Sequence, residues 1–315
     1  MKVSIIIPCK EIDSMTIKCV SECLKLDYKD FEIILLPDES SKKSKDEKLR
    51  IINTGKVKPA LKRNIGMSVS NGDFFAFIDS DAYPRKNWLK NAMKYFSDEK
   101  IGLVGGPNLT PPEGNFAEKI SGKVLSNFLI SGNANIRYKI SKNQYVRELP
   151  SCNYISRRKI SPKYNPYFLT AEDSKFCFDI EKKGYKLLYA RDVIVSHHRR
   201  NTLFKHLKQM FIYGRDIAWL SKKEFTIDKI YYSLLSLGVL GFFLGLVFSF
   251  YNLFFRNIFL TILLFYLTII FMTSVYKNIK YTFYIFLISI GTHFSYGFGW
   301  LKGFLTKHKK NENVK

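Results

Sequence analysis

Apolar and polar positions along the first two hundred residues predict strands that alternate with helices. Val3–Pro8 and Phe31–Pro37 are short continuous apolar runs, and between them the apolar residues of Ser14–Leu26 have helical spacing. The same succession returns as a predicted helix over Pro59–Ser70 and an apolar strand over Asp73–Asp79. Strands alternating with helices predict a parallel sheet covered by helices, so the expected fold class is α/β.

The pattern continues to about residue 198, with two weaker stretches. Lys42–Ile52 is charged and predicts a helix or a loop, and the pattern loosens between Ser131 and Lys163. The remaining predicted elements are helices over Arg85–Asp98, Asn115–Ile130 and Glu172–Lys183, and strands over Ile101–Gly106, Lys186–Ala190 and Val193–Ser196.

Three apolar segments near the C-terminus contain no Asp, Glu, Lys or Arg: Tyr231–Phe255, Ile258–Tyr276 and Tyr281–Leu301. Each approaches or exceeds the roughly 20 residues that cross a bilayer as a helix. Three crossings would place the basic tail outside, against the positive-inside rule, so we expect two spans and an interfacial or re-entrant third segment.

Arg199–Lys223, ahead of these segments, is a basic amphipathic helix typical of the bilayer interface, or else an ordinary helix packed on the domain. The expected domains are 1–198 (α/β), 199–229 (interfacial helix region), 230–302 (membrane, two to three segments) and 303–315 (basic tail).

The net charge of +23 raises the question of nucleic acid as a partner. No nucleic-acid-binding motif accompanies the charge, whereas cytoplasmic parts of membrane proteins carry excess Lys and Arg that face the anionic inner leaflet. We therefore expect a membrane and no nucleic acid. The first apolar run is too short for a signal peptide, so the first domain is expected to stay in the cytoplasm.

Five cysteines without a CxxC pair make a disulfide framework unexpected. Cys19 and Cys23 lie one helical turn apart, and with Cys152 and Cys177 they form a conceivable metal site. Buried, reduced packing residues are much commoner, and that is the interpretation we adopt.

Polar residues follow three of the predicted strands. Glu11 comes shortly after Pro8, Asp38 follows the second strand, and Asp79-Ser80-Asp81 ends the third. Open parallel sheets bind ligands outside the carboxyl ends of their strands, so these residues should share one crevice. Two loop carboxylates at i and i+2 can bind a hard divalent cation, which would neutralise a diphosphate.

Four features, in order and spacing, resemble family 2 glycosyltransferases with their GT-A fold: Pro8, Asp38, the run Lys62-Arg63-Asn64-Ile65-Gly66 and Asp79-Ser80-Asp81. Thr170-Ala171-Glu172-Asp173 is similar to that family's ED motif, and Val193–His197 to its late strand ending in histidine. The resemblance covers about Val3 to His198. It implies a Rossmann-like GT-A domain that binds a UDP-, GDP- or dTDP-sugar, followed by transmembrane helices.

The resemblance also implies a role for each matching residue. Asp173 would be the general base, and Asp81 and His197 would ligate Mg or Mn. The donor would be bound by Pro8, Glu11, Asp38, Lys62, Arg63, Asn64 and Asp79. The acceptor side would comprise Ser151, Cys152, Asn153, Glu172, Arg157 and Arg158. From the residues alone, a first-turn acid that stabilises the helix is the commoner interpretation of Asp173, and His197 is either a metal ligand or a surface histidine.

Two departures from the family pattern narrow the expected activity. The acidic pair usual after the second strand is here Pro37-Asp38, so only its second acid is present. Processive members carry a QxxRW motif, whereas Gln209 is followed here by Met-Phe-Ile-Tyr. The chain is more similar to exopolysaccharide enzymes of the succinoglycan type. This implies inverting transfer of single sugars to a lipid-linked or other glycan at the cytoplasmic membrane face. A polyprenyl-phosphate monosaccharide transferase and a non-catalytic basic membrane-surface protein are the alternatives.

Overall fold

The computed structural model describes residues 1–41, 44, 46–167, 170–224 and 231–307. Part of the charged stretch Lys42–Ile52 lies outside these residues. The chain divides into two compact units, one formed by Met1–Glu113 with Ile136–His198 and the other by Gly114–Asn135 with Arg199–Lys315. The first unit thus contains all residues of the expected α/β domain, 1–198, except 114–135, which belong to the second unit.

The first unit is built on two sheets. The strands are β1 Val3–Pro8, β2 Phe31–Leu36, β3 Leu49–Ile51, β4 Phe74–Phe77, β5 Ala82–Pro84, β6 Ile101–Gly105, β7 Asn108–Leu109, β8 Gln144–Val146, β9 Tyr154–Arg157, β10 Lys186–Tyr189 and β11 Val195–His197. The large sheet has the order β3-β2-β1-β4-β9-β6-β10-β8, and the small one β5-β11-β7.

The α-helices belong to both units. They are α1 Ser14–Leu24, α2 Pro59–Val69, α3 Trp88–Tyr95, α4 Phe116–Ser126, α5 Phe128–Ser131, α6 Glu172–Lys182, α7 Leu203–Lys223, α8 Leu234–Phe248, α9 Leu253–Ser274 and α10 Ile279–Leu305. Two 3-10 helices cover Gly132–Tyr138 and Arg158–Ile160.

The large sheet is mixed rather than purely parallel. Strands β1, β2 and β4 run parallel, as the alternating pattern predicts. Strand β9, which the sequence did not predict, lies between β4 and β6 and is antiparallel to both. It therefore begins at the carboxyl edge of the sheet, where β1, β2 and β4 end, and finishes at the opposite, amino edge.

Helices cover both faces of this sheet, which explains why its central strands are continuous apolar runs. Val3, Ile5 and Ile7 pack in a core with buried residues of α1 and α3. Ile6 and Ile34 point to the other face, in a core shared with α2 and α6. All six residues of β1 and all six of β2 are buried.

Tight packing of two helices organises the second unit. The face of α7 with Met210, Gly214 and Ala218 is buried. A Cβ on Gly299 of α10 would lie 1.9 Å from the carbonyl oxygen of Phe211, so only glycine permits this approach. The apolar face of the expected interfacial helix is thus covered in part by α10, and its place at a bilayer stays a prediction.

The helix expected over Asn115–Ile130 is interrupted. Asn127 adopts an extended conformation between α4 and α5, and its side chain accepts a hydrogen bond from the Leu129 backbone at 3.0 Å. Asparagine favours such local side-chain to backbone bonds, which end one helix and begin the next.

One helix among the described residues is long and apolar enough to cross a membrane. This is α9, with 22 residues and a mean hydropathy of 2.1 in its most apolar window. Helix α8 has 15 residues, or about 22 Å, which is short of the roughly 30 Å hydrocarbon core. Helix α10 does not qualify by composition. The described residues thus contain one candidate membrane-spanning helix, and the expected two to three membrane segments stay a prediction.

Candidate functional site

A buried lysine forms hydrogen bonds at the carboxyl ends of both β1 and β2. Lys62, on α2, donates from Nζ to the carbonyl oxygen of Cys9 at 2.6 Å, to that of Leu36 at 3.2 Å and to the Asp38 carboxylate. Pro8, the last residue of β1, is buried. The charge of Lys62 is balanced by Asp38. Its hydrogen bonds to the two carbonyl oxygens link the end of β2 to the residue after β1.

A cleft of about 570 Å³ opens at this edge beside Asp38. It is lined by Ile12, Glu39, Ser40, Ser41 and Asn53. The volume is within the range of small-molecule sites. Glu11, expected among the donor-binding residues, is exposed next to Ile12 in the chain.

Arg63 joins the end of β4 to the start of α6. It is 3% exposed and pairs with Asp79 at 2.7 Å and with Glu172 at 3.2 Å. Within the described part of the chain, Nε of Arg63 and Oε2 of Glu172 are buried without a hydrogen-bond partner. Orphaned buried polar atoms are uncommon and often mark a place where a water or ligand binds.

Asn64, next to Arg63, bonds to the protein backbone. Its Nδ2 donates to the carbonyl oxygen of Tyr164 at 2.8 Å, and its Oδ1 accepts from the amide of Tyr164 at 2.7 Å. The structure therefore gives Asn64 the task of holding the Tyr164 segment, rather than the direct donor contact expected from the sequence.

The two acids of the ED pair lie in the first turn of α6. Oδ1 of Asp173 accepts from the Ser174 amide at 2.8 Å, and Oδ2 from the Ser151 amide at 3.4 Å. Burial, reinforced by Glu148, raises the pKa of Asp173 to about 6 against the opposing charges of Arg137 and Arg63. Burial and then the charge of Asp173 raise the pKa of Glu172 to about 8. Asp173 is thus poised to exchange a proton near neutral pH.

An ion pair that sequence reasoning missed stands beside Asp173. Arg137 and Glu148 lie 3.1 Å apart and are both largely buried. They come from the stretch between Ser131 and Lys163, where neither periodicity nor a motif is present. Their only sequence signal is opposite charge, which is too common to identify a site.

Asp81 and His197 approach each other because the small sheet pairs the segments that carry them. Strand β11 is antiparallel to β5, with His197 opposite Ala82. Nε2 of His197 lies 3.2 Å from Oδ1 of Asp81. Burial lowers the pKa of His197, but Cys152 and Asp81 outweigh it and raise this pKa to about 10.

Donor atoms of three side chains cluster at the same place. One atom each from Asp79, Cys152 and His197 lies within 4.8 Å of the other two. With Asp81 the set offers carboxylate oxygen, imidazole nitrogen and sulphur, all of them metal ligands in proteins. These residues fit a divalent cation, and the metal expected from the resemblance stays a prediction.

Of the residues expected on the acceptor side, Asn153 turns its side chain into the core, and Arg157 and Arg158 lie at the opposite edge of the sheet. The side chain of Asn153 is fully buried, accepts from Trp88 Nε1 at 2.8 Å and donates to the carbonyl oxygens of Pro107 and Val193. Arg157 pairs with Phe74, the first residue of β4, and Arg158 donates to Ser70 and Gly72. Because β9 is antiparallel, both arginines lie at the amino edge of the sheet. Ser151, Cys152 and Glu172 lie at the carboxyl edge.

Relatives of known activity match most of this chain. It is 26% identical over 261 residues to the dolichyl N-acetyl-alpha-D-glucosaminyl phosphate 3-beta-D-2,3-diacetamido-2,3-dideoxy-beta-D-glucuronosyltransferase of Methanococcus voltae, covering 76% of this chain and 78% of that protein. It is also 26% identical over 241 residues to glycosyltransferase GlyG of Streptococcus pneumoniae, covering 71% and 79%.

A solved structure shares the fold. The mannosyltransferase of Pyrobaculum calidifontis in complex with GDP-Man and Mn²⁺ superimposes with a TM-score of 0.51 at 15% identity. The match covers 69% of this chain and 62% of that one. This likeness supports the GT-A fold expected from the sequence.

A family model bears directly on identity. The model described as glycosyl transferase family 2 matches residues 4–164, half of the chain. The matched segment contains Lys62 and the ends of β1 and β2 that it contacts. It also contains the Asp79-Ser80-Asp81 triplet and Cys152. The chain therefore belongs to glycosyl transferase family 2.

Proposed function

We propose that this glycosyltransferase moves a sugar, with inversion, from a nucleotide-sugar to a hydroxyl of a lipid-linked glycan at the cytoplasmic membrane face. The observation that carries the proposal is Asp173, a largely enclosed carboxylate with a pKa of about 6. It lies at the same sheet edge as the Asp79, Asp81 and His197 cluster. A base and a site for a leaving diphosphate are the two requirements of such a transfer.

In this mechanism Asp173 accepts the proton of the acceptor hydroxyl as that oxygen attacks the anomeric carbon. Arg63 positions Asp79 at one end and Glu172 at the other. Asp81 and His197 would hold the divalent cation, Mg²⁺ or Mn²⁺ in the simplest case, which supplies positive charge for the leaving diphosphate. Asp38 and the cleft beside it would hold the nucleotide base.

The proposed acceptor rests on the second unit and on a relative. Helix α9 is almost wholly exposed although it is strongly apolar, with 6% of its most apolar window buried. Exposed apolar surface of this extent is typical of contact with lipid. The Methanococcus voltae relative is named for a dolichyl-phosphate-linked substrate. We extend this to a membrane-held acceptor for the present chain, with residues 1–198 as the catalytic domain.

The metal requirement is testable with the purified full-length protein, lipid extract and a panel of UDP-, GDP- and dTDP-sugars. One class of donor should release its nucleoside diphosphate, only with a divalent metal. Asp81→Asn should lower this rate by roughly a hundredfold or more, since metal stabilisation of the leaving group is worth several kcal/mol. Asp30→Asn, an exposed acid at the amino edge, is the control and should not change the rate. Undiminished, chelator-resistant turnover by Asp81→Asn would exclude a metal role for this residue.

The rate should also depend on pH in a defined direction. Asp173 must be ionised to accept a proton, so kcat should rise with pH through about 6 and then level off. Glu148 faces Asp173 and raises its pKa, whereas Arg137 and Arg63 lower it. Glu148→Gln should therefore move the rising limb of a kcat profile to lower pH. A shift to higher pH, or a limb that does not move, would contradict the assignment.

A further inference from the structure

The position of Cys152 follows from strand pairing. Strand β9 is antiparallel to β4, with Tyr154 opposite Phe77. Continued beyond the strand ends, this register sets Cys152 opposite Asp79. Cys152, two residues before β9, is thus brought to the acidic turn after β4, with which it shares no sequence motif.

The sulphur of Cys152 is enclosed and held in place. The residue is 3% exposed, and Asn108 donates from Nδ2 to Sγ at 3.2 Å. Asp79 and His197 each offer a donor atom within 4.8 Å of this sulphur. A sulphur, a carboxylate oxygen and an imidazole nitrogen thus lie close together. A cysteine packed in an apolar core would have no such polar neighbours. The other four cysteines are also buried and free, but none of them belongs to such a cluster in the described ranges.

We propose that Cys152 ligates the divalent cation of this site through its sulphur, together with Asp79 and His197, and thereby favours a transition metal over Mg²⁺. This inference rests on the proposed function, in which Asp81 and His197 form the metal site. Thiolate is a soft ligand that suits zinc and cobalt, whereas Mg²⁺ requires oxygen ligands in near-octahedral geometry. A thiol that ligates a metal forms its sulphur–metal bond as thiolate and releases its proton to solvent, so no protein base is needed.

Cobalt(II) is a suitable probe because a cobalt–thiolate bond produces an intense near-ultraviolet charge-transfer band that oxygen and nitrogen ligands do not give. The full-length wild-type protein, titrated with Co²⁺ in detergent, should develop this band. Cys152→Ser should lose it and keep the weaker visible absorption of cobalt held by oxygen and nitrogen. Cys19→Ser is the matched control, because Cys19 is buried and contacts the Asp79 backbone but lies outside the cluster. This variant should keep the band.

Binding calorimetry gives a second readout. The affinity of Cys152→Ser for Co²⁺ should fall by roughly 10–100-fold, the range that even the loss of an outer-shell partner of a ligand reaches. Its affinity for Mg²⁺ should be unchanged. Melting temperatures of Cys152→Ser and Cys152→Ala, measured without metal, separate a lost ligand from a lost fold.

The outcomes separate this inference from the proposed function. Metal-dependent sugar transfer without a charge-transfer band in the wild type would overturn sulphur ligation and leave the function standing. Persistence of the band in folded Cys152→Ser would overturn it too. A band that disappears only in the Cys152 variants, in a protein that transfers no sugar, would support the ligand and count against the function.

Discussion

Replacing Asp173 with Asn should lower kcat by about 10²–10⁴-fold, the usual contribution of a general base. The amide is the same size as the carboxylate and can still accept from a backbone amide, as Asp173 does from Ser174 and Ser151. It cannot take a proton from the acceptor hydroxyl. The affinity for the donor should therefore change little while the rate of transfer falls. Single-turnover kinetics with saturating donor would measure the rate of the transfer step.

Asp179→Asn is the matched control for this substitution. Asp179 lies on the same helix α6 and forms an ion pair with Lys175. Its replacement alters the charge of α6 by the same amount, six residues further along the helix. Turnover near the wild-type level in Asp179→Asn, with a similar melting temperature for both variants, would assign the loss to the position of Asp173. An active Asp173→Asn would remove Asp173 from its role.

Replacing Arg63 with Met should destabilise the protein by about 3–5 kcal/mol, because removal of one partner of a buried ion pair leaves the other charge uncompensated. Here the Asp79 carboxylate would lose its cation. Glu172 is nearly fully buried and its raised pKa of about 8 keeps it largely protonated near neutral pH, so it would lose a hydrogen-bond donor and not a counter-charge. Denaturant unfolding of the full-length variant in detergent would report the change.

Arg50→Met provides the comparison for Arg63. Arg50 also pairs with a carboxylate, Glu32, but its own side chain is 42% exposed. Partly exposed pairs contribute about 1 kcal/mol or less. Equal stability losses in the two variants would show that the Arg63 bridge is not the enclosed link between β4 and α6 that we describe.

The sequence was sufficient for those parts of the fold whose pattern is continuous. Strands β1, β2 and β4 are unbroken apolar runs because helices cover both faces of the sheet, and their predicted positions are confirmed. Pro8, Asp38 and Asp79 lie at or just after the carboxyl ends of these neighbouring parallel strands. That the polar residues at these ends share one crevice stays a prediction.

Strand β9 shows why the rest was not predictable. It has four residues, Tyr-Ile-Ser-Arg, and no alternation long enough to identify. Its antiparallel direction is a tertiary property, yet it decides that Cys152 reaches the acidic turn and that Arg157 lies at the opposite edge. The Arg137 and Glu148 pair next to Asp173 is likewise created by chain reversal alone.

The apolar C-terminal segments illustrate a different limit. Composition identified them, but helix length is set by where local caps and turns interrupt the chain. Asn252 caps α9 by accepting from Phe255, so the first predicted segment ends as a helix of 15 residues. Composition alone cannot place such a break inside an apolar run.

The central claim, sugar transfer to a membrane-held acceptor, is tested most directly by following a labelled sugar from its nucleotide into lipid. The full-length protein in membranes that contain lipid-linked glycans should move label from one donor class into a lipid-soluble product carrying more than one sugar. Asp173→Asn should not. A product with a single sugar on the carrier would identify polyprenyl phosphate as the acceptor instead. Failure of label to enter lipid from any donor, or equal transfer by Asp173→Asn, would contradict the account.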